Sequence, residues 1–338
     1  MDKKDIKLPK VIFGTTSLGN LFVVLDDESK LDIVAECITH SQSPTVFDSA
    51  GKYGAGLALE ALGKALKRLN IKPEDVLISN KLGWVRVPLK TSEPTFESGI
   101  WRDLKYDAVQ KISYDGILEC YEQGNQLLNG YKADFVSVHD PDEYLAAAKN
   151  EEDALKRYDD ILEAYRALTE LKEAGKVQAI GVGSKDWRAI QKIVRDVDLD
   201  WVMIANSMTV HSHPAELVAF MEQLKEKGIA IINSAVFNAG FLIGGDYYNY
   251  KLMNPADHSA LYKWRDEFFG ICTKYAIKPA EACTAFGLSA PGVTSIALST
   301  SNAKRVKENV AMANVVIPAA FWDELKANRL INKTYAYL

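Results

Sequence analysis

The 338-residue sequence predicts an α/β fold of the (β/α)8 TIM-barrel class, formed as one domain by residues 1–338. The first observation behind this prediction is that eight short apolar runs alternate with segments of helical periodicity, and no linker interrupts them. The second is that several of these runs end on an ionisable residue, which is typical of barrel strands whose carboxyl ends carry chemistry. A doubly wound sheet is the competing fold, but its functional residues would gather at one switch point.

The eight apolar runs are the predicted strands. Val76–Asn80 is representative, because a near-continuous apolar run is typical of a parallel strand that is buried on both faces. In chain order the predicted strands are Val11–Gly14, Thr45–Phe47, Val76–Asn80, Asp134–Val138, Val177–Val182, Trp201–Ala205, Ile229–Ile232 and Val293–Leu298.

Helices are predicted between and after these strands. Leu31, Val34 and Ile38 recur at helical spacing in the first helix, Ser113 is a suitable N-cap for the third, and Gly175 follows the end of the fourth. In chain order the predicted helices are Asp26–His40, Leu57–Leu69, Ser113–Leu128, Ile161–Ala174, Trp187–Arg195, Pro214–Lys227, Ser259–Tyr275, Pro279–Ser289, Ser301–Ala313 and Pro318–Leu330.

Long loops are predicted after strands three, four and seven. The first is an insertion from Leu82 to Ile112 that is rich in aromatic residues and proline. The second is the acidic segment Pro141–Asp153, and the third is Asn233–Asn249. Loops in these positions lie at the end of a barrel that carries the active site.

Composition limits the classes of partner and the cellular location. The formal net charge of −5 disfavours a nucleic acid or an anionic membrane surface as a partner. The four cysteines are widely spaced and show no metal-ligand pattern, so we expect reduced, mostly buried thiols and no metal site. The N-terminal stretch has no apolar signal-peptide core, and no run approaches the roughly 18 apolar residues of a membrane helix. We therefore expect a soluble, cytoplasmic protein.

Four ionisable residues stand at or just after the ends of predicted strands two, three and four. Asp48 ends the second strand and Tyr53 follows it across a small-residue turn, whereas Lys81 and His139 directly follow the third and fourth strands. Each residue alone has an ordinary structural explanation, such as a turn cap for Asp48 or a solvated charge for Lys81. Together they predict one cleft that contains a carboxylate, a phenol, an ammonium and an imidazole.

These four residue types suit hydride transfer coupled to proton transfer. A tyrosine can give or take the proton of a reacting oxygen if its pKa falls by roughly 3 units from about 10. An adjacent Lys81 ammonium favours the Tyr53 phenolate, and Asp48 keeps that ammonium charged and oriented. His139 can hydrogen-bond the substrate oxygen. The four residue types therefore suit an oxidoreductase in which Tyr53 is the general acid and base.

The motifs around these residues resemble those of the aldo-keto reductases, over nearly the whole chain. FDSAGKYG resembles the family block FDTA-x-x-YG, ISNKLG its strand-three lysine motif, and DFVSVHDPD its strand-four histidine motif. IGVGS and KRVKEN stand where the family binds the nicotinamide carboxamide and the adenosine phosphate. The resemblance implies NAD or NADP as cofactor, with binding positions at Thr16, Ser184, Asn206, Ser234, Ser299, Arg305, Glu308 and Asn309.

Three departures from the family pattern affect the cofactor site. Met203 stands where the family has a carboxamide-binding glutamine, and Asn233 stands where an aromatic residue stacks on nicotinamide. Ser299 replaces the lysine of many NADP-preferring members, which leaves Arg305 with Lys304 as the main candidate for a 2′-phosphate. A solvated helical face is the alternative explanation of that basic pair. We therefore expect NAD to be slightly favoured over NADP.

GTTSLGN, IGVGSKDW and the glycine-containing loop after strand seven resemble the branch of aldose 1-dehydrogenases acting on L-fucose, D-threo-aldoses or galactose. This implies oxidation of the anomeric carbon of an aldose, such as L-fucose, D-arabinose or galactose, to a lactone. Two alternatives stay open: an NADPH-dependent aldehyde or ketone reductase, and a cofactor-binding regulatory barrel with little turnover. The side chains that could line a sugar pocket, or could simply pack the loops, are Trp84, Trp101, Asp140, Phe237 and Phe241.

Overall fold

In the computed structural model, which describes residues 6–338, eight parallel strands close into a barrel. Around the barrel the strands are ordered β1-β12-β9-β8-β7-β6-β3-β2. The TIM-barrel prediction is confirmed. These strands are β1 (Val11–Gly14), β2 (Thr45–Ala50), β3 (Val76–Leu82), β6 (Phe135–His139), β7 (Ala179–Ser184), β8 (Trp201–Ala205), β9 (Ala230–Ser234) and β12 (Val293–Leu298).

Apolar side chains fill the barrel interior, as the period-two alternation of a strand requires. Ile12, Val46, Phe135, Trp201 and Ile232 belong to one buried cluster there. The Trp201 indole needs a glycine on the neighbouring strand, because a Cβ at Gly181 would lie 2.3 Å from its ring. The interior is thus a packed core, and the open end of the barrel is left for the site.

The helices surround the barrel and bury their apolar faces against it. Their bounds are α1 Asp27–His40, α2 Leu57–Arg68, α3 Tyr114–Leu127, α4 Pro141–Ala146, α5 Glu151–Glu173, α6 Trp187–Asp196, α7 Ala215–Glu226, α8 Ser259–Lys274, α9 Pro279–Ser289, α10 Val306–Met312 and α11 Ala319–Ala327. None of the helices within residues 6–338 is long and apolar enough to cross a membrane.

Two helix predictions were wrong in their bounds. The acidic segment is not a plain loop, since it contains α4 and the first turn of α5, which begins ten residues before the predicted Ile161. The side chain of Asn150 caps α5 by accepting the Asp153 N–H at 2.8 Å, and acidic residues suit a first helical turn. Near the C-terminus, the predicted helix Ser301–Ala313 is a 3₁₀ turn, Ala303–Arg305, followed by α10.

The insertion after β3 lies over the open end of the barrel. It contains an antiparallel hairpin of β4 (Trp84–Pro88) and β5 (Tyr106–Gln110). Its tip reaches the loop after β1, where the Phe22 N–H donates to the Ile100 carbonyl at 2.9 Å and Leu21 bridges to Trp101. The loop after β9 carries a smaller hairpin of β10 (Tyr247–Tyr248) and β11 (Lys251–Leu252). The cysteines are all buried and unpaired, as expected.

Candidate active site

Asp48 and Lys81 form a buried ion pair at the end of the barrel. In the register of β2 and β3, Asp48 lies beside Ser79, and Lys81 follows two residues later on the same face. Lys81 Nζ is 2.5 Å from Asp48 Oδ2, and the Ser79 hydroxyl donates to Asp48 Oδ1 at 3.3 Å. Both charged side chains are almost fully buried. Asp48 therefore fixes the position of the Lys81 ammonium.

Tyr53 stands on the turn after β2, above this ion pair. Lys81 Nζ lies 4.7 Å from the centre of the Tyr53 ring. The turn is held against the 3₁₀ turn Thr16–Gly19, and this approach requires a glycine after the tyrosine. Gly54 has a φ of +60°, and a Cβ there would lie 2.3 Å from the Gly19 carbonyl oxygen. The predicted FDSAGKYG turn thus brings the phenol over the lysine.

His139, at the end of β6, completes the cluster. Its ring packs edge-on against Tyr53, with the ring centres 5.5 Å apart. Burial, followed by the charges of Lys81 and Lys52, holds the pKa of His139 well below its ordinary value. The imidazole is therefore neutral at physiological pH and presents one donor and one acceptor nitrogen. Its Nδ1 is buried without a hydrogen-bond partner among residues 6–338.

The expectation that the pKa of Tyr53 falls below its ordinary value is wrong for this structure. Burial of the phenol, followed by the charge of Asp48, raises the pKa of Tyr53 well above its ordinary value. Desolvation disfavours the phenolate, and Asp48 offsets the nearby ammonium. The Tyr53 hydroxyl is therefore protonated in the structure, which is the state required of a proton donor.

The four-residue cluster of Asp48, Tyr53, Lys81 and His139 faces one cavity of about 480 Å³. All eight barrel strands contribute lining residues from their carboxyl ends or the loops that follow them. The insertion adds Glu97, Ile100 and Trp101, and the loop after β9 adds Phe237 and Tyr250. This is the usual location of an active site in a barrel.

Most of the predicted cofactor positions line the same cavity. They are Thr16, Ser184, Ser234, Ser299 and Arg305. The Thr16 and Ser299 hydroxyls are 3.0 Å apart, whereas the Ser184 hydroxyl donates to the Asp186 carbonyl. The remaining positions are not among the lining residues: Asn206 is buried after β8, Glu308 pairs with Lys278 at 2.5 Å, and Asn309 is half-buried in α10.

The position given to Asn233 on the resemblance is wrong, and for Trp84 and Phe241 the alternative of loop packing holds. Asn233 does not face the cavity, because it is fully buried and its amide donates to the carbonyls of Met208 and Gly287; its neighbour Ser234 lines the cavity. Trp84 and Phe241 are also absent from the lining. Trp84 packs against Phe96, and Phe241 packs edge-on against Tyr248 and Tyr262. Trp101, Asp140 and Phe237 do line the cavity, as does Met203.

A second group of charges lies in the cavity wall, and of its members only Asp140 was predicted to line a pocket. Lys52, which immediately precedes Tyr53, is 2% exposed, and its Nζ lies within 3.4 Å of carboxylate oxygens of Glu97, Asp140 and Glu143. Lys185, after β7, pairs with Glu143 at 2.5 Å. The only signal for Lys52 was its place in the FDSAGKYG motif.

The chain was compared with known proteins. The model of the aldo/keto reductase family matches residues 10–329. A pyridoxal 4-dehydrogenase from Microbacterium luteolum is 28% identical over 94% of this chain and 93% of its own length. A D-threo-aldose 1-dehydrogenase from a Pseudomonas species is 26% identical over 96% of this chain and 95% of its own.

Among solved structures, an aldo/keto reductase from Klebsiella pneumoniae in complex with NADP and acetate has a similar fold. Its TM-score is 0.63 at 17% identity, over 98% of this chain and 95% of that one. The matched family model covers nearly the whole chain, including every residue of the four-residue cluster. The chain therefore belongs to the aldo/keto reductase family, whose members are oxidoreductases that use NAD(P)H.

Proposed function

We propose that this protein is an NAD(P)-dependent aldose 1-dehydrogenase that oxidises the anomeric carbon of a cyclic sugar to its lactone. The observation that carries the proposal is the four-residue cluster facing a cavity whose wall also contains charged and aromatic side chains. Carboxylates suit sugar hydroxyls, and aromatic faces such as that of Trp101 suit sugar C–H groups. The similarity to a D-threo-aldose 1-dehydrogenase supports the same substrate class.

The cavity is suited to a nicotinamide dinucleotide. Small residues form much of its wall, among them Gly14, Gly183 and Ala205, and a Cβ at Gly183 would lie 3.2 Å from the Lys81 side chain. We assign cofactor contacts to Thr16, Ser184, Ser234, Ser299 and Arg305, which line the cavity. The assignment of Asn206, Glu308 and Asn309, which do not line it, rests on the family resemblance alone. A bound nicotinamide would supply the hydride acceptor for oxidation and the hydride donor for reduction.

The residues of the cluster transfer the proton and bind the reacting oxygen. In oxidation, the Tyr53 phenolate removes the proton of the anomeric hydroxyl; in reduction, the Tyr53 hydroxyl donates a proton to the carbonyl oxygen. Lys81 stabilises the phenolate, since its ammonium lies 4.7 Å from the ring. Asp48 holds that ammonium in place, and neutral His139 hydrogen-bonds the reacting oxygen.

The protonation state of Tyr53 also affects whether oxidation or reduction is favoured. Because burial and Asp48 raise the pKa of Tyr53, the phenol is ready to donate at neutral pH, and oxidation is expected to accelerate as pH rises. An NADPH-dependent aldehyde or ketone reductase is the second candidate function, and this protonation state favours it. A regulatory barrel with little turnover is the third, and the intact cluster argues against it.

An initial-rate screen distinguishes these functions. L-fucose, D-arabinose, D-galactose, L-galactose, D-glucose and pyridoxal are each offered with NAD and with NADP, at neutral and alkaline pH, and formation of reduced nicotinamide is followed by absorbance. Rapid oxidation of one stereochemical subset of the sugars is expected, with NAD slightly favoured. Simple aldehydes are offered with NADPH in parallel, and its oxidation is followed by loss of absorbance. Turnover restricted to these aldehydes would instead establish the reductase, and turnover of none of the substrates would point to the regulatory barrel.

A further inference from the structure

Five charged side chains from separate segments meet beside Tyr53 and His139, and we call them the Lys52 network. Lys52 comes from the turn after β2, Glu97 from the insertion, and Lys185 from the segment after β7. Asp140 and Glu143 come from the start of α4. Lys52, Glu97, Asp140 and Lys185 line the cavity, so this network forms part of its wall.

The Lys52 ammonium is surrounded by the three carboxylates of the network. Its Nζ lies 2.7 Å from Glu143 Oε2, 2.8 Å from Glu97 Oε1 and 3.4 Å from Asp140 Oδ2. The ammonium donates hydrogen bonds to Glu143 and Asp140, and its contact with Glu97 is a third ion pair. Lys52 is also buried against the face of Trp84, 5.3 Å from the ring centre. With its charge paired to three carboxylates, Lys52 does not offer a free cation to a carboxylate or phosphate of a substrate.

Two of the carboxylates that line the cavity, in contrast, keep acceptor capacity. Asp140 Oδ2 is within 3.6 Å of nitrogens of Lys52, Lys185 and His139, whereas no hydrogen bond or ion pair engages its Oδ1 among residues 6–338. Glu97 Oε2 accepts one bond, from the Trp101 indole at 2.6 Å, and a carboxylate oxygen can accept a second. Three carboxylates against two ammoniums also leave this wall with an excess negative charge.

We propose that Lys52 determines substrate specificity by positioning Glu97 and Asp140 as hydrogen-bond acceptors for a neutral, polyhydroxylated substrate. The same arrangement disfavours anionic substrates, because their charge meets carboxylates and finds Lys52 already occupied. This inference rests on the proposed function and deepens it, since it identifies the side chains that recognise the sugar hydroxyls.

The test uses three four-carbon aldehydes, reduced with NADPH in the same direction. D-threose is neutral and hydroxylated, butanal has no hydroxyl group, and succinic semialdehyde carries a carboxylate. For each enzyme, kcat/KM for threose and for the semialdehyde is divided by that for butanal. Working with ratios removes any general effect on folding or on the chemical step.

Two substitutions should change these ratios in a diagnostic pattern. Glu97→Gln should lower the threose ratio by roughly tenfold, as expected for one hydrogen bond to a charged acceptor, and raise the semialdehyde ratio. Lys52→Met should lower both ratios, because the carboxylates lose their position while the negative charge grows. Lys52→Arg should restore the semialdehyde ratio in part.

Lys64→Met is the matched control, since that lysine is exposed on α2 far along the helix from the site, and it should leave both ratios unchanged. If Lys52→Met does not fold, Glu97→Gln alone tests the inference. The threose ratio should then fall while the semialdehyde ratio rises. Unchanged or parallel ratios in Glu97→Gln would overturn the inference, as would a wild-type preference for the semialdehyde over threose. Failure to oxidise any cyclic aldose would refute the proposed function separately.

Discussion

The Asp48–Lys81 ion pair should stabilise the barrel only as an intact pair. Unit charges 2.5 Å apart attract by roughly 7 kcal/mol at an effective dielectric constant of about 20. Removing both groups from water costs several kcal/mol for each ion, which offsets most of that attraction. The side chains are 3% and 4% exposed, so neither charge can recover its hydration if its partner is removed.

The consequence is strong thermodynamic coupling between the two residues. Asp48→Asn leaves a buried, unpaired ammonium and should lower the free energy of unfolding by about 3–5 kcal/mol; Lys81→Met leaves a buried carboxylate and should cost a similar amount. The double variant buries neither charge, so its loss should be at least about 2 kcal/mol smaller than the sum of the single losses. Urea unfolding followed by circular dichroism gives all four free energies.

An exposed ion pair provides the control for this cycle. Arg68 and Glu28 form a bidentate pair on the surface, and the cycle of Glu28→Gln with Arg68→Met should show no measurable coupling. Additive losses in the Asp48–Lys81 cycle would refute the reasoning, because they would mean that each charge is solvated without its partner.

Three further predictions concern the same site. Lys81→Met should move the rise of the oxidation rate to higher pH, because the phenolate of Tyr53 loses its cation; an unshifted pH profile excludes this role. Because His139 has a pKa well below its ordinary value of about 6.5, acidification protonates the unfolded chain first, so the unfolding free energy should fall below that pH. His139→Asn should flatten this fall, in urea titrations at neutral and acidic pH, and an unchanged slope would contradict it. Arg305→Ala should weaken NADP binding more than NAD binding by fluorescence titration, and an equal loss for both would remove Arg305 from 2′-phosphate recognition.

The barrel and the four-residue cluster could be predicted because their signals are local. A buried strand such as β3 begins with an apolar run, and the residues near its carboxyl end must stand at the rim of the barrel. Asp48, Lys81 and His139 lie among the last three residues of β2, β3 and β6, and the glycine after Tyr53 marks the turn that brings the phenol over them.

The features of the site that were not predicted depend on contacts between distant segments and on strand register. Lys52 is an ordinary turn residue in the sequence, and its burial depends on carboxylates up to 91 positions away. Asn233 differs from Ser234 by one position along β9, and because strand side chains alternate between faces, that single step separates the helix-facing side from the cavity. Motif matching alone does not fix that register.

Turnover by Tyr53→Phe most directly tests the central claim, that the phenol transfers the proton of the reacting oxygen. The substitution removes one oxygen and keeps the ring between His139 and Trp101. We predict a loss of kcat of at least about 100-fold in both directions, with cofactor binding by fluorescence titration nearly unchanged. A kcat equal to that of the wild type, with the same cofactor affinity, would contradict the account.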